Sequence, residues 1–131
     1  MVLLKAYRLA DGADVVSVWH RLHAGNAELR AALDARMDYL KWQPRENWTR
    51  PRYDILHKCR GLGEVRFKVG KVNHRALGYF GPERMEFTFL MFCTHTESYI
   101  PRNALEMGMQ RMDEVRANVA LAIVIRGRWS Q

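Results

Sequence analysis

The sequence predicts an α+β domain: an N-terminal strand and an αα-hairpin, then a three-strand antiparallel meander and a C-terminal helix. Three observations carry this. Residues 63–80 alternate in polarity on either side of Gly70-Lys71, residues 15–42 repeat apolar side chains at helical spacing across one break, and a second helical stripe follows Pro101. With 131 residues, the chain fits one domain, 1–131, around one core.

Val2 to Arg8 reads as the first strand. Asp11-Gly12 and Asp14 then supply a turn and an N-cap for Val15, Val16, Val18, Trp19 and Leu22, a helix ending near His23. Gly25-Asn26 breaks and recaps the chain, and Leu29, Leu33, Met37 and Leu40 recur at helical spacing to Trp42, with Pro44 ending the second helix. Residues 43–53 hold Pro44, Pro51, Trp48, Arg45, Arg50 and Arg52 and read as a basic, irregular connection exposed to a partner.

A Gly-X pair between alternating strands signals a type II′ hairpin. With Gly70-Lys71 as the turn, Val69 faces Val72, Lys68 faces Asn73, Phe67 faces His74 and Arg66 faces Arg75. Gly81-Pro82-Glu83-Arg84 turns the chain into a third strand from Met85 to Cys93, with Phe80 expected opposite Met85. Val65, Phe67, Val69, Val72, Ala76, Phe80, Phe87 and Phe89 then face the helices, while Glu64, Arg66, Lys68, Asn73, Arg75, Leu77, Tyr79, Glu86 and Thr88 face solvent. Leu105, Met109, Met112, Val115 and Val119 mark the last helix.

Lysine and arginine number 21 against 14 acidic residues, a formal charge of +7. A small basic domain of this kind meets nucleic acid, a ribosome or an acidic protein. Residues 1–9 lack the apolar length and cleavage site of a secretory signal, and the run Val119 to Ile125 is far short of the roughly 20 residues that span a bilayer. A soluble, cytoplasmic protein with two reduced cysteines and no membrane partner is the expectation.

Like charges directly opposed on a sheet repel unless something anionic lies between them, and two guanidinium forks suit a phosphate. Arg66 and Arg75 are therefore candidate phosphate contacts.

The run Gly61-Leu62-Gly63-Glu64-Val65-Arg66-Phe67 is similar to the "G-L-x-E-[IVL]-R" strand of the RelE/ParE toxin superfamily. His74-Arg75-Ala76-Leu77-Gly78-Tyr79-Phe80 is similar to its "Y-R-[IVAP]-x-Y-F", and Pro101 to Met109 with Arg111 to its "P-x-x-A-L-x-x-A-x-x-R". The closest likeness is to the HigB-like, phage-associated branch. The resemblance implies a RelE-like fold and a toxin-type endoribonuclease that cleaves messenger RNA on the ribosome by metal-independent attack of the 2′-OH, restrained by an antitoxin protein. No cofactor is implied, and a homodimer is compatible with it. Arg66 and Arg75 match the family's phosphate-contacting arginines, Glu64 its strand carboxylate and Tyr79 its aromatic after the second arginine. Where the branch often carries a lysine after the third strand, this chain has Cys93-Thr94-His95-Thr96-Glu97. A RelE-like module that only binds RNA or an antitoxin, and a ParE-like gyrase inhibitor, are the rival readings.

Cleavage of RNA without metal needs a base for the 2′-OH, cations at phosphorus and a proton for the departing 5′ oxygen. Tyr79, His95, Lys68 and Lys58 are the candidates for proton transfer, and histidine is the side chain that ordinarily titrates near neutrality. Arg66, Arg75, Tyr79 and His95 form the candidate catalytic set, and Lys58, Lys68, Lys71 and Asn73 the RNA-binding set. His74 is expected in the core, and His20 and His23 on the surface. His57-x-Cys59 and Cys93-x-His95 have zinc-like spacing, but intervening strands at roughly 4.8 Å each keep the two pairs apart, so no metal is expected.

Overall fold

The computed structural model describes residues 1–129. The chain begins with β1 (Leu3–Tyr7), α1 (Val15–Leu22) and α2 (Ala27–Leu40), and continues with β2 (Tyr53–Ile55), β3 (Gly63–Val69), β4 (Val72–Phe80) and β5 (Glu86–His95). It closes with β6 (Tyr99–Ile100), α3 (Ala104–Ala117) and β7 (Ala122–Val124). Asp14 caps α1 through the Ser17 amide at 2.8 Å, and Asn26 caps α2 through the Leu29 amide at 3.0 Å.

The sheet has seven strands in the order β2-β3-β4-β5-β1-β7, with β6 beside the end of β5. The expected antiparallel meander is present as β3, β4 and β5. The β1 strand pairs parallel with β5, and β7 antiparallel with β1. The strands β2, β6 and β7, only two or three residues long, extend the expected set because such short runs carry no readable alternation.

The β3–β4 register is the expected one throughout, from Val69 opposite Val72 to Arg66 opposite Arg75. Gly70 takes φ 58° and Lys71 is not left-handed, the pattern of a type II′ turn. The β4–β5 register departs from expectation. Phe80 faces Phe87 and not Met85, because the turn spends an additional pair of residues before the Gly81 amide reaches the Glu86 carbonyl at 2.8 Å. A bulge sets Leu77 opposite Met91 but Gly78 opposite Phe89, so the alternation of β5 is interrupted and both Leu90 and Met91 are buried.

Both faces of the sheet are covered. On one, Val15, Val16 and Trp19 of α1 and Leu29, Leu33 and Met37 of α2 join the core with Leu4, Ala6, Val65, Phe67, Phe87 and Phe89. On the other, α3 buries Ala104, Gly108, Met112 and Val115, with Leu62 and Leu77 closest to Gly108. The face expected in solvent is thus largely interior: Glu64, Leu77, Tyr79 and Thr88 are buried. Helix α3 accounts for the difference, since its buried stripe shifts one position from the expected one to include Ala104 and Gly108, small residues that bring its backbone close. The 43–53 connection is mostly exposed, including Arg45 and Arg50, but Trp48 anchors it, buried among Tyr53, Phe80 and Phe87. Among the described residues no helix is long and apolar enough to cross a membrane.

Gly78 lies where β4 passes closest to β5. A Cβ there would fall 2.5 Å from both the Phe87 ring and the Thr88 carbonyl oxygen. Gly78→Ala is expected to lower stability by about 1–3 kcal/mol, seen as a lower urea midpoint at unchanged slope.

Candidate functional site

Arg66 and Arg75 stand side by side on β3 and β4, on the α3 face of the sheet. Beneath them lies Glu64, whose side chain is 2 % exposed. Arg66 Nε donates to Glu64 Oε2 at 2.7 Å and Arg66 Nη2 to Asp54 Oδ2 of β2 at 3.2 Å. Arg75 Nε sits 3.2 Å from the same Glu64 oxygen as an ion pair, off hydrogen-bond alignment, while its Nη1 donates to the His74 carbonyl at 3.3 Å. The other Glu64 oxygen accepts the Tyr99 hydroxyl at 2.5 Å. The arginines are consequently not free solvent groups, with side-chain exposures of 26 % and 13 %. The expected anion between them is supplied by the protein.

Every strand near this cluster contributes. Asp54 also accepts from exposed Arg50 of the 43–53 connection at 3.0 Å. From β5, Cys93 lies opposite Arg75 and its thiol donates to the Arg75 carbonyl at 3.6 Å. Burial, reinforced by Glu64 and opposed by Arg75, pushes the Cys93 thiol up to about 12. Burial and the bond to Glu64 raise the Tyr99 phenol in the same direction. Both groups are held protonated and work as donors, not as bases.

The other sequence-derived residues divide between two ends of the sheet. Lys68 and Lys71 are exposed near the hairpin turn, Asn73 pairs across to His95, and His95 packs edge-on against Tyr99 with ring centroids 4.7 Å apart. These four share the Arg66–Arg75 end. Lys58 sits instead in the β2–β3 loop at φ 59°, beyond the opposite end of β3. Tyr79 is on the same face as Arg75 but four residues along β4, about 13 Å away at strand spacing, and is buried under Arg116 of α3. The structure does not bring Tyr79 or Lys58 to the arginine pair.

The histidines also sort themselves. His74 stacks on Phe67 at 5.3 Å, on the side of the sheet that carries α1 and α2, and burial lowers its pKa first, with His23 and Arg75 adding to the shift. His20 is not on the surface as expected; it is buried beside Trp19 and Trp129, and burial is the main cause of its lowered pKa. Cys59 and Cys93 are free thiols, Cys59 in the β2–β3 loop and Cys93 on β5, with β4 lying between β3 and β5. Among the described residues, no group of three or more His, Cys, Asp or Glu could hold a metal ion.

Asp54 and Tyr99 are the site residues that sequence reasoning missed. Asp54 lies in a strand of three residues and Tyr99 in one of two, so neither offered a period that would place it. The Tyr-Ile-Pro boundary before α3 was the only local signal.

No family model, no curated protein and no solved structure matches this chain. The likeness to the RelE/ParE superfamily therefore rests on the three motifs quoted above.

Removing Glu64 strands two partly buried guanidinium groups. Glu64→Ala is expected to cost about 3–5 kcal/mol, and Glu64→Gln less, since the amide oxygen can still accept from Arg66 while its NH2 donates to the Tyr99 hydroxyl oxygen; chemical denaturation of the two variants measures the difference. A second outcome concerns alkaline pH. An exposed thiol ionises near 9, whereas Cys93 holds its proton to about 12, so the unfolded chain loses this proton first and stability falls as pH rises through that window. Cys93→Ala should flatten the decline in urea midpoint between about pH 9 and about pH 12.

Proposed function

We propose that this chain is a RelE-like, toxin-type endoribonuclease that cleaves messenger RNA on the ribosome without a metal and is restrained by an antitoxin protein. The supporting observation is the Arg66–Arg75 pair, held edge-on by a buried carboxylate with His95 and Lys68 at the same end of the sheet. Glu64 takes the Nε edges of both arginines, and Asp54 and the His74 carbonyl take one terminal nitrogen each. Arg66 Nη1 and Arg75 Nη2 have no partner among the described residues. Two cationic donors fixed in advance suit the charge that gathers on phosphorus during in-line attack.

In this reading the 2′-OH loses its proton to the His95 imidazole as the 2′-oxygen–phosphorus bond forms. The phosphorus–5′-oxygen bond breaks, a proton returns to the 5′ oxygen, and a cyclic phosphate remains on the upstream fragment. Tyr79 takes no part at this end of the sheet because of its distance from the pair. Lys68, Lys71 and Asn73 hold the flanking backbone.

One observation favours a second reading, a module that binds RNA or a partner protein without cutting. Asp54 and Glu64 already neutralise part of the cluster: Arg50, Arg66 and Arg75 share two carboxylates. Two variants separate the readings. With ribosomes and a messenger present, Arg75→Ala is expected to lower cleavage by about 10²–10³-fold while the fold persists, since Glu64 keeps Arg66 and Tyr99. His95→Ala is expected to lower cleavage by about 10²-fold or more at unchanged RNA affinity. A wild-type chain that binds RNA but leaves it intact under these conditions favours the binding module. Lys68→Ala should weaken binding evenly across sequences and reduce the salt dependence by about one released ion.

A further inference from the structure

At the end of β3 and β4 away from the Gly70-Lys71 turn lies a pocket of about 210 Å³ lined by Arg45, Trp48, Tyr53, Tyr79, Phe80 and Arg116. That is several times the ~30 Å³ that one water occupies in the liquid, ample for a tetrahedral anion. Tyr53 and Tyr79 are each 3 % exposed. Neither phenol hydroxyl has a hydrogen-bond partner among the described residues. A buried hydroxyl left unpaired is unfavourable, and two such donors lining one pocket call for an acceptor from outside the chain. The Tyr53 hydroxyl packs against Gly63, where a Cβ would overlap it.

The charged groups agree with the hydroxyls. The Arg45 guanidinium lies 4.7 Å over the Phe80 ring and that of Arg116 lies 5.1 Å over the Tyr79 ring. Arg116 donates one bond to the Arg60 carbonyl at 3.0 Å, and neither arginine is in an ion pair among the described residues. No carboxylate lines the pocket. The polar side chains that converge here are donors: two phenols and two guanidinium groups, with the indole N–H of Trp48 already given to the Gln43 carbonyl.

We propose that this pocket binds a phosphate group, free or carried by a nucleotide or an RNA backbone. Oxygen atoms of a phosphate accept from both phenols and pair with both guanidinium groups, and the aromatic walls exclude water from the contact. Burial raises both phenols above their ordinary range, so they stay protonated and donate. The site is distinct from the Arg66–Arg75 cluster, about 13 Å away along β4, and does not depend on the ribonuclease reading.

The test titrates the full chain with inorganic phosphate, a 5′-mononucleotide and a single-stranded oligoribonucleotide, following the amide resonances of Ile55 and Gly61 beside the pocket. At least one titrant should shift them in the wild type. The double variant Tyr53→Phe/Tyr79→Phe should weaken that binding by about tenfold or more, with its thermal midpoint unchanged or higher because the lost hydroxyls had no protein partner. Arg116→Met should weaken it too. Shifts with inorganic phosphate identify a site for the free anion, and shifts with the oligonucleotide alone identify a backbone contact. Arg75→Ala should leave the inorganic phosphate response at Ile55 and Gly61 intact even where cleavage is lost, which separates this proposal from the catalytic one. Wild-type amides that stay still with all three titrants, or a folded double variant that binds as tightly as the wild type, would overturn it.

Discussion

The polar face of this sheet depends on one buried carboxylate. Arg66 and Arg75 occupy directly opposed positions, where two guanidinium groups repel, and Glu64 lies almost fully buried against both. Neither side of the arrangement is tenable alone: an unpaired carboxylate at that depth and an unpaired arginine pair at that spacing are each strongly unfavourable. The same group also ties down chain that could not hold itself. Strands β2 and β6 have three and two residues, too few for a ladder to secure, yet Asp54 of β2 binds Arg66 and Tyr99 of β6 binds Glu64.

How far this was readable from the sequence follows from the range of each interaction. The Gly70-Lys71 turn is local, and once it is set, the pairing of Arg66 with Arg75 follows by counting along two strands. The helix N-caps at Asp14 and Asn26 are also local, and both were visible. The bulge opposite Gly78 was not, because the polarity of Leu90 and Met91 does not say that both point inward. The closing of the second face by α3 was equally hidden: Leu77 and Tyr79 look the same in sequence whether solvent or a helix lies above them. In sequence Glu64 reads as one residue of a solvent-facing strand side, and only the arrival of Tyr99 from a segment 35 residues away makes it the buried centre.

The carboxylates change what kind of phosphate surface this can be. Asp54 and Glu64 offset two of the three charges of Arg50, Arg66 and Arg75, so the cluster itself keeps a single positive charge. Long-range attraction therefore draws mainly on the whole molecule, whose formal charge is +7. What the cluster itself offers is fixed geometry. Each arginine is held by its Nε edge and one terminal nitrogen, so the remaining donor points the same way before any ligand arrives. Preorganisation of that sort favours a charge that appears at one place, such as a transition-state oxyanion, over a diffuse one.

Helix α3 decides how the face is divided. Leu77 lies two residues from Arg75 and two from Tyr79, on the same side of β4, and is fully buried. Gly108 of α3 sits directly above it: a Cβ on that glycine would lie 3.3 Å from Leu77 and 3.2 Å from Leu62. The missing side chain lets the helix rest on the middle of the strand, separating a turn end, with Arg66, Arg75 and His95, from a glycine-rich end, with Tyr53, Tyr79 and Arg116. The helix does more than divide, since Arg116 reaches the second end from its last turn. Two groups of cationic donors on one strand are thus kept apart by packing volume, not by sequence distance, and a ligand long enough to touch both must cross the backbone of α3.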